Sequence, residues 1–166
     1  MSSFYLGLGS NEGNRLANLN SALTALRDCG DITAISSVYE TEPKYEVEQP
    51  KFLNMVCLIN SELAAVELFE AVKIIEQQIG RVETYRNGPR IIDIDLLYSP
   101  DETYRDDVLE VPHAKLGERA FVLIPFAEIA PTLMLANLNS TAAEALSNFN
   151  KNLLDEVKLY SKVPLV

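Results

Sequence analysis

The sequence has no apolar run near the ~18–20 residues that a membrane-spanning helix needs, so no such span is expected. Cysteine is scarce. Cys29 and Cys57 are the only two, without metal-ligand spacing, and both read as reduced packing residues. Internal repeats, low-complexity tracts and long linkers are missing. The one glycine-rich stretch, GLGSNEG (7–13), has its third glycine a place too far for GxGxxG and lacks GK[ST], which removes both common phosphate-loop fingerprints. Its glycines read instead as easing a strand-to-helix turn and close packing near a sheet. Positive charge is the minority sign: 14 Lys and Arg against 24 Asp and Glu leave a net charge of −10, which disfavours a nucleic-acid backbone as partner. The opening MSSFYLGLGSNEGN lacks the basic region of a signal peptide and runs straight into a strand pattern, so a cytoplasmic protein is expected.

What is present fits a single domain over 1–166, long enough for a substantial core. FYLGLGS (4–10) reads as a buried strand. A helix follows over 11–28, with Leu16, Leu19, Leu23 and Leu26 on one face and Gly30 as its stop. DITAISSVYETEP (31–43) reads as one long strand, and KFLNMVCLINSEL (51–63) as another. AAVELFEAVKIIEQQIG (64–80) carries the stripe Leu68, Val72, Ile75 and Ile79, and Gly80 ends it. With a strand over 91–98 the order is β-α-β-β-α-β, a ferredoxin-like α+β core whose antiparallel sheet carries helices on one face. Later additions are a helix within 116–129 that tolerates Pro125, a small helix capped by Thr141 and Glu144, and an edge strand near 155–161.

The chemistry concentrates in RNGPRIIDIDLLYSP (86–100). Residues two apart on a strand share a face, so Asp93 and Asp95 project together while Ile92, Ile94 and Leu96 face the other way. Two carboxylates ~7 Å apart repel and lose hydration. A divalent cation removes both costs, and Mg²⁺ suits hard oxygen ligands that leave room for substrate phosphate. Salt bridges to Arg86 and Arg90 are the alternative. Five of the seven arginines (Arg81, Arg86, Arg90, Arg105 and Arg119) and the only histidine, His113, fall between residues 81 and 119. Guanidiniums beside a metal are the parts of a phosphoryl-transfer site.

RNGPRIIDIDLL (86–97) resembles the signature of the 6-hydroxymethyl-7,8-dihydropterin pyrophosphokinase family of folate biosynthesis. So, in the same order over residues 4–131, do GLGSN (7–11), SSVYETEP (36–43), FLNMV (52–56), IEQQIGR (75–81), VPH (111–113) and ERAFVLIPFAEIAP (118–131). The resemblance implies transfer of a pyrophosphoryl group from ATP to the hydroxymethyl oxygen of the reduced pterin, with release of AMP. It implies that Asp93 and Asp95 hold two Mg²⁺ ions and that Arg81 and Arg90 are catalytic residues reaching the phosphates. His113 and Arg119 become further ATP contacts, while Glu76 and the backbone at Leu96 line the adenosine pocket. Phe52 and Phe121 match the rings that stack on the pterin; Thr41 and Asn54 match its polar rim. Both substrates are small molecules, so no nucleic acid, membrane or obligate protein partner is implied. The chain departs from the common pattern at Asn87, where tryptophan is frequent, and at Glu83 and Ala114. Two other readings stay open at this stage: a module of the same fold that binds pterin or nucleotide without catalysis, and a metal-dependent nuclease, which the acidic charge disfavours.

Overall fold

The two longest strands of the computed structural model, β1 (Ser2–Ser10) and β4 (Phe52–Ser61), pair antiparallel from Ser2 opposite Ser61 to Ser10 opposite Leu53. Residues 1–43 and 48–162 are described; 44–47 and 163–166 of the expected 1–166 domain lie outside them. After β1 come helix α1 (Arg15–Leu26), β2 (Asp31–Ile35), β3 (Val38–Thr41), β4, α2 (Ala65–Ile79) and β5 (Asp93–Tyr98). The last strand, β10 (Val157–Ser161), returns to the sheet, whose order is β10-β3-β4-β1-β5 with β2 also on β4 and every pairing antiparallel. The expected ferredoxin-like core is present, and β10 is the expected edge strand.

Alternation sorts each strand between two cores. Phe4, Leu6 and Leu8 of β1, Leu53 and Met55 of β4, and Ile94 and Leu96 of β5 meet Leu19, Leu23 and Leu26 of α1 and Leu68, Val72 and Ile75 of α2. Full burial of each such side chain stabilises by roughly 1.5–3 kcal/mol. The intervening residues Tyr5, Val56, Leu97 and Tyr98 face the other way, onto helix α3 (Ala120–Ile129). Phe126 of α3 anchors that second core, with ring centroids 4.6 Å from Tyr5 and 6.5 Å, edge-on, from Tyr98. The two helices of the core therefore share one face of the sheet, as expected, and the later helix α3 covers the other. Pro125 lies inside α3 without ending it, since a missing N–H removes only one rung of the ladder.

Local chemistry sets the boundaries. The Asn14 side chain caps α1 by accepting the Ala17 N–H at 3.1 Å, and α2 stops at Gly80, whose left-handed φ of +117° suits a residue without a Cβ. The single strand expected over 31–43 is broken at Ser36 and Ser37. There the Ser36 hydroxyl, in place of a backbone carbonyl, accepts the Val56 N–H at 2.9 Å. The break shifts the register on β4 by one residue, from Ile35 opposite Cys57 to Tyr39 opposite Asn54. Glu128 of α3 pins it by accepting the Ser37 N–H (3.0 Å), the Ser37 hydroxyl (2.7 Å) and the Tyr39 hydroxyl (2.7 Å). The capping box expected at Thr141 and Glu144 opens helix α4 (Ala142–Ser147). Helix α5 (Lys151–Asp155) and the ribbons β6 (Tyr104–Arg105) with β7 (Glu110–Val111) and β8 (Met134–Leu135) with β9 (Ser140–Thr141) are too short for periodicity to announce.

Candidate active site

The α3 face of the sheet is closed over only part of its length. Where α3 begins, an open cleft of about 870 Å³, mouth and adjoining solvent space included, lies between the sheet and the start of the helix. Gly7 and Gly9 form its floor, directly opposite Asp95 and Asp93 of β5. A Cβ on Gly9 would stand 3.1 Å from Asn54 Oδ1, so the bare backbone is what leaves space there.

One end of the cleft suits a flat, polar-edged ring. Phe52 starts β4 and Phe121 lies in the first turn of α3, and both line the space. Between them, buried Asn54 donates through Nδ2 to Thr41 Oγ1 at 2.9 Å. This leaves Asn54 Oδ1 as an acceptor and the Thr41 hydroxyl as a donor, a complementary pair for the rim of a heterocycle. The Arg119 guanidinium sits 5.7 Å from the centre of the Phe121 ring, which links this end to the charged one.

At the other end, Asp93 and Asp95 share the cleft face, and their surroundings differ sharply. Asp93 Oδ1 takes Arg81 Nη1 at 2.8 Å and Oδ2 takes Arg90 Nη1 at 3.0 Å. Burial alone would raise the Asp93 carboxyl, but Arg90, Arg81 and Lys73 outweigh it and hold the group below the ordinary carboxylate range. Among the described residues no ion pair or hydrogen bond reaches the Asp95 carboxylate, and burial together with the neighbouring charge of Asp93 pushes it up to about 7. Of the two alternative partners expected for the aspartates, Arg90 pairs with Asp93, while Arg86 is exposed and forms no ion pair among the described residues. Arg81 takes that place, because the C-terminal end of α2 lies beside the start of β5.

Glu76 explains how Arg81 is held. It is 2% exposed on the inner side of α2, away from the cleft. One carboxylate oxygen accepts the Ile94 N–H (2.7 Å) and Lys73 Nζ (3.1 Å), and the other pairs with Arg81 Nη1 (2.9 Å). Ile94 lies between the two aspartates on the open edge of β5, and its C=O also receives Lys73 Nζ at 3.4 Å. By the two-residue alternation of an antiparallel edge, the N–H and C=O of Leu96 face the same open side. The Leu96 side chain is buried in the α1–α2 core. His113 lies past the end of β5, where its N–H donates to Leu97 C=O (2.8 Å) and its Nδ1 accepts the Lys115 N–H (3.1 Å). Burial and Arg119 lower its pKa, so the ring is neutral near pH 7 with Nε2 carrying the proton.

The fold thus brings Thr41, Phe52, Asn54, Arg90, Asp93, Asp95, Arg119 and Phe121 to one cleft. Arg81 reaches it through Asp93, and Glu76, Leu96 and His113 stand outside its walls. Sequence reasoning gave no site role to Gly7, Gly9, Asn11, Gln49 or Lys73. For Glu76 a signal existed, since it lies one turn from Val72 and Ile79 of the α2 stripe, and Lys73 lies one turn from Glu76. For Gln49 there was none.

The class of domain is thus a ferredoxin-like α+β fold whose sheet presents paired aspartates, arginines and two aromatic rings in one cleft. The family model for 7,8-dihydro-6-hydroxymethylpterin-pyrophosphokinase (HPPK) matches residues 5–131, and the chain belongs to that family. It is 39% identical over 160 residues to the 2-amino-4-hydroxy-6-hydroxymethyldihydropteridine pyrophosphokinase of Methylorubrum extorquens, covering 95% of this chain and 100% of that protein. It is also 40% identical over 137 residues to a folic acid synthesis protein of Dictyostelium discoideum, covering 82% of this chain but only 21% of that one. The chain thus spans about a fifth of the length of this second, longer relative. Among solved structures, wild-type HPPK-DHPS of Plasmodium falciparum has the same fold, with a TM-score of 0.78 at 15% identity over 95% of this chain and 48% of that one. No helix among the described residues is long and apolar enough to cross a membrane.

Proposed function

We propose that this chain transfers the pyrophosphoryl group of ATP to the hydroxymethyl oxygen of 6-hydroxymethyl-7,8-dihydropterin, giving the pterin diphosphate and AMP. The hydroxymethyl oxygen attacks the β-phosphorus, the bond from that phosphorus to the α,β-bridging oxygen breaks, AMP leaves, and the hydroxyl proton passes to solvent. The observation that carries this reading is the junction of the two ends of the cleft: an aromatic slot with an amide rim opens directly onto the aspartate pair and its arginines.

Phe52 and Phe121 hold the pterin by its faces, and Asn54 Oδ1 and the Thr41 hydroxyl read its rim, so the ring is fixed with its hydroxymethyl group towards Asp95. Arg90, Arg81 and Arg119 hold the triphosphate, and their planar forks suit phosphate oxygens. The open edge at Leu96 offers backbone hydrogen bonds to the adenine, with His113 Nε2–H as a further donor. Glu76 acts on the nucleotide through Arg81 and the β5 backbone. The aspartates fit Mg²⁺ on their chemistry: two hard oxygen donors on one face, one of them without a protein partner among the described residues. Asp93 and Asp95 would hold Mg²⁺, with two ions as the expected number, which would supply neutralising positive charge at the phosphate end of the cleft. The unit is one pyrophosphokinase domain over 1–166, acting in the cytoplasm on small molecules without an obligate protein partner.

The test is AMP production from ATP and Mg²⁺, with and without the hydroxymethyl pterin. AMP that depends on the pterin supports the reading. Binding of both substrates without AMP identifies a non-catalytic module instead.

A further inference from the structure

We infer that Asn11 and Gln49 form an amide relay that positions Arg90 and ties the phosphate end of the cleft to the loop bordering its pterin end, so that occupation of one end favours the other. The inference rests on the functional reading above.

Asn11 follows β1 and is fully buried, and none of the roles assigned so far uses it. It grips Arg90 at both backbone groups: its own N–H donates to Arg90 C=O at 3.1 Å, and its Oδ1 accepts the Arg90 N–H at 2.7 Å. The backbone of Arg90 is thereby fixed, and its guanidinium meets Asp93 from a set origin. The other half of the Asn11 amide points to a third segment, with Nδ2 donating to Gln49 Oε1 (2.9 Å) and Pro50 C=O (3.3 Å). Gln49 passes the connection back, because its Nε2 donates to Asn87 C=O at 2.6 Å. Asn87 sits at φ +61° in a turn closed by the Gly88 N–H on Tyr85 C=O (2.9 Å). Two amides therefore bind three segments that are remote in sequence. Gln49, Asn87 and Arg90 all line the cleft, as does Phe52, three residues beyond Gln49.

The chemistry of the relay is specific. Each amide must accept with its oxygen and donate with its nitrogen, which neither a carboxylate nor a methyl group does. Asn11→Asp keeps the acceptor for Arg90 but turns a second oxygen on Gln49 Oε1 and Pro50 C=O. Gln49→Glu does the same to Asn87 C=O. In both, Arg90 and the pterin-side segment are no longer held as one body.

The experiment measures affinity for a non-hydrolysable ATP analogue with Mg²⁺ and for 6-hydroxymethyl-7,8-dihydropterin, each with and without the other. The two ratios must give one coupling factor, expected to be about tenfold or more in the natural sequence. In Gln49→Ala and Gln49→Glu that factor falls at least fivefold, more than either solitary affinity changes, with the melting temperature nearly unmoved because Gln49 is half-exposed. Asn11→Asp repeats the loss if it folds. A natural protein that binds both ligands without coupling, or Gln49 variants with coupling intact, overturns the relay and leaves the functional reading standing. A solitary pterin affinity that collapses in Gln49→Ala with coupling preserved makes Gln49 a direct contact and also overturns it. Failure of the natural protein to bind either ligand overturns the functional reading itself.

Discussion

Replacing Asp95 with asparagine should make the ligand-free protein more stable and abolish its turnover. The Asp95 carboxyl has no protein partner among the described residues, and burial beside Asp93 moves its pKa from 3.8 to about 7. Above that value the folded protein holds an anion that its surroundings disfavour. A displacement of about three units at ~1.36 kcal/mol each sets a ceiling of about 4 kcal/mol. The cleft is open and water screens the charge, so a gain on the order of 1–2 kcal/mol is expected. That is a rise of roughly 3–6 °C in Tm for a domain of this size. The sign follows from proton counting. Between the unfolded and folded pKa values the native state keeps a proton that the unfolded chain has released, so this group's contribution to stability falls as pH rises through that window and is flat above it. The asparagine variant lacks that slope, so its advantage is full at about pH 8 and smaller at about pH 5. Urea denaturation of both proteins at the two pH values, without divalent metal, measures it. Equal stability at the higher pH, or an advantage that grows on acidification, would refute the reasoning, and retained turnover would remove Asp95 from the reaction.

Asp93→Asn should behave in the opposite way in the same denaturation assay: it breaks ion pairs of 2.8 and 3.0 Å to Arg81 and Arg90 and is expected to destabilise by ~1–3 kcal/mol as well as to stop turnover. Gly9→Ala places a methyl group 3.1 Å from Asn54 Oδ1; steady-state kinetics should show the pterin KM raised several-fold with the ATP KM nearly unchanged, and an unchanged pterin KM would remove Gly9 from the floor of that end. Glu76→Gln leaves an acceptor for the Ile94 N–H but removes the charge facing Arg81 and Lys73. Thermal unfolding should register a loss of ~1–3 kcal/mol, and a stability equal to the natural protein's would show that the buried carboxylate does not hold the edge of β5.

Periodicity made most of the frame legible. The stripe of α2, the apolar length of β4 and the spacing of Asp93 and Asp95 are local facts, and each element stands where its pattern put it. The strand break at Ser36 and Ser37 escaped because its cause is tertiary: a serine hydroxyl replaces a backbone acceptor, and Glu128, 91 residues from Ser37 in sequence, secures the result. The second helical layer escaped for a related reason, since the apolar pattern of α3 says that it is buried but not against which face. Of the two arginines that nearness in sequence offered as partners, Arg90 does pair with Asp93, whereas the place of Arg86 is taken by Arg81 from the helix end. Glu76 was legible only as part of a motif. Its carboxylate among the buried residues of α2 required a partner, but nothing local named the Ile94 N–H. Asn11 was legible only as the end of a glycine-rich motif, because its partner Arg90 lies 79 residues away.

The division of β5 between an oily side and a reactive side carries a penalty for indels that no point substitution incurs. Insert or delete one amino acid between Ile92 and Leu96, and a strand with two-fold periodicity presents its carboxylates to the α1–α2 core and its aliphatics to the cleft. Folding and chemistry would fail in a single event. Length variation in this segment is therefore confined to the stretch before the strand, and a library of single-residue insertions scanned across 82–98 should recover folded protein only from its first half.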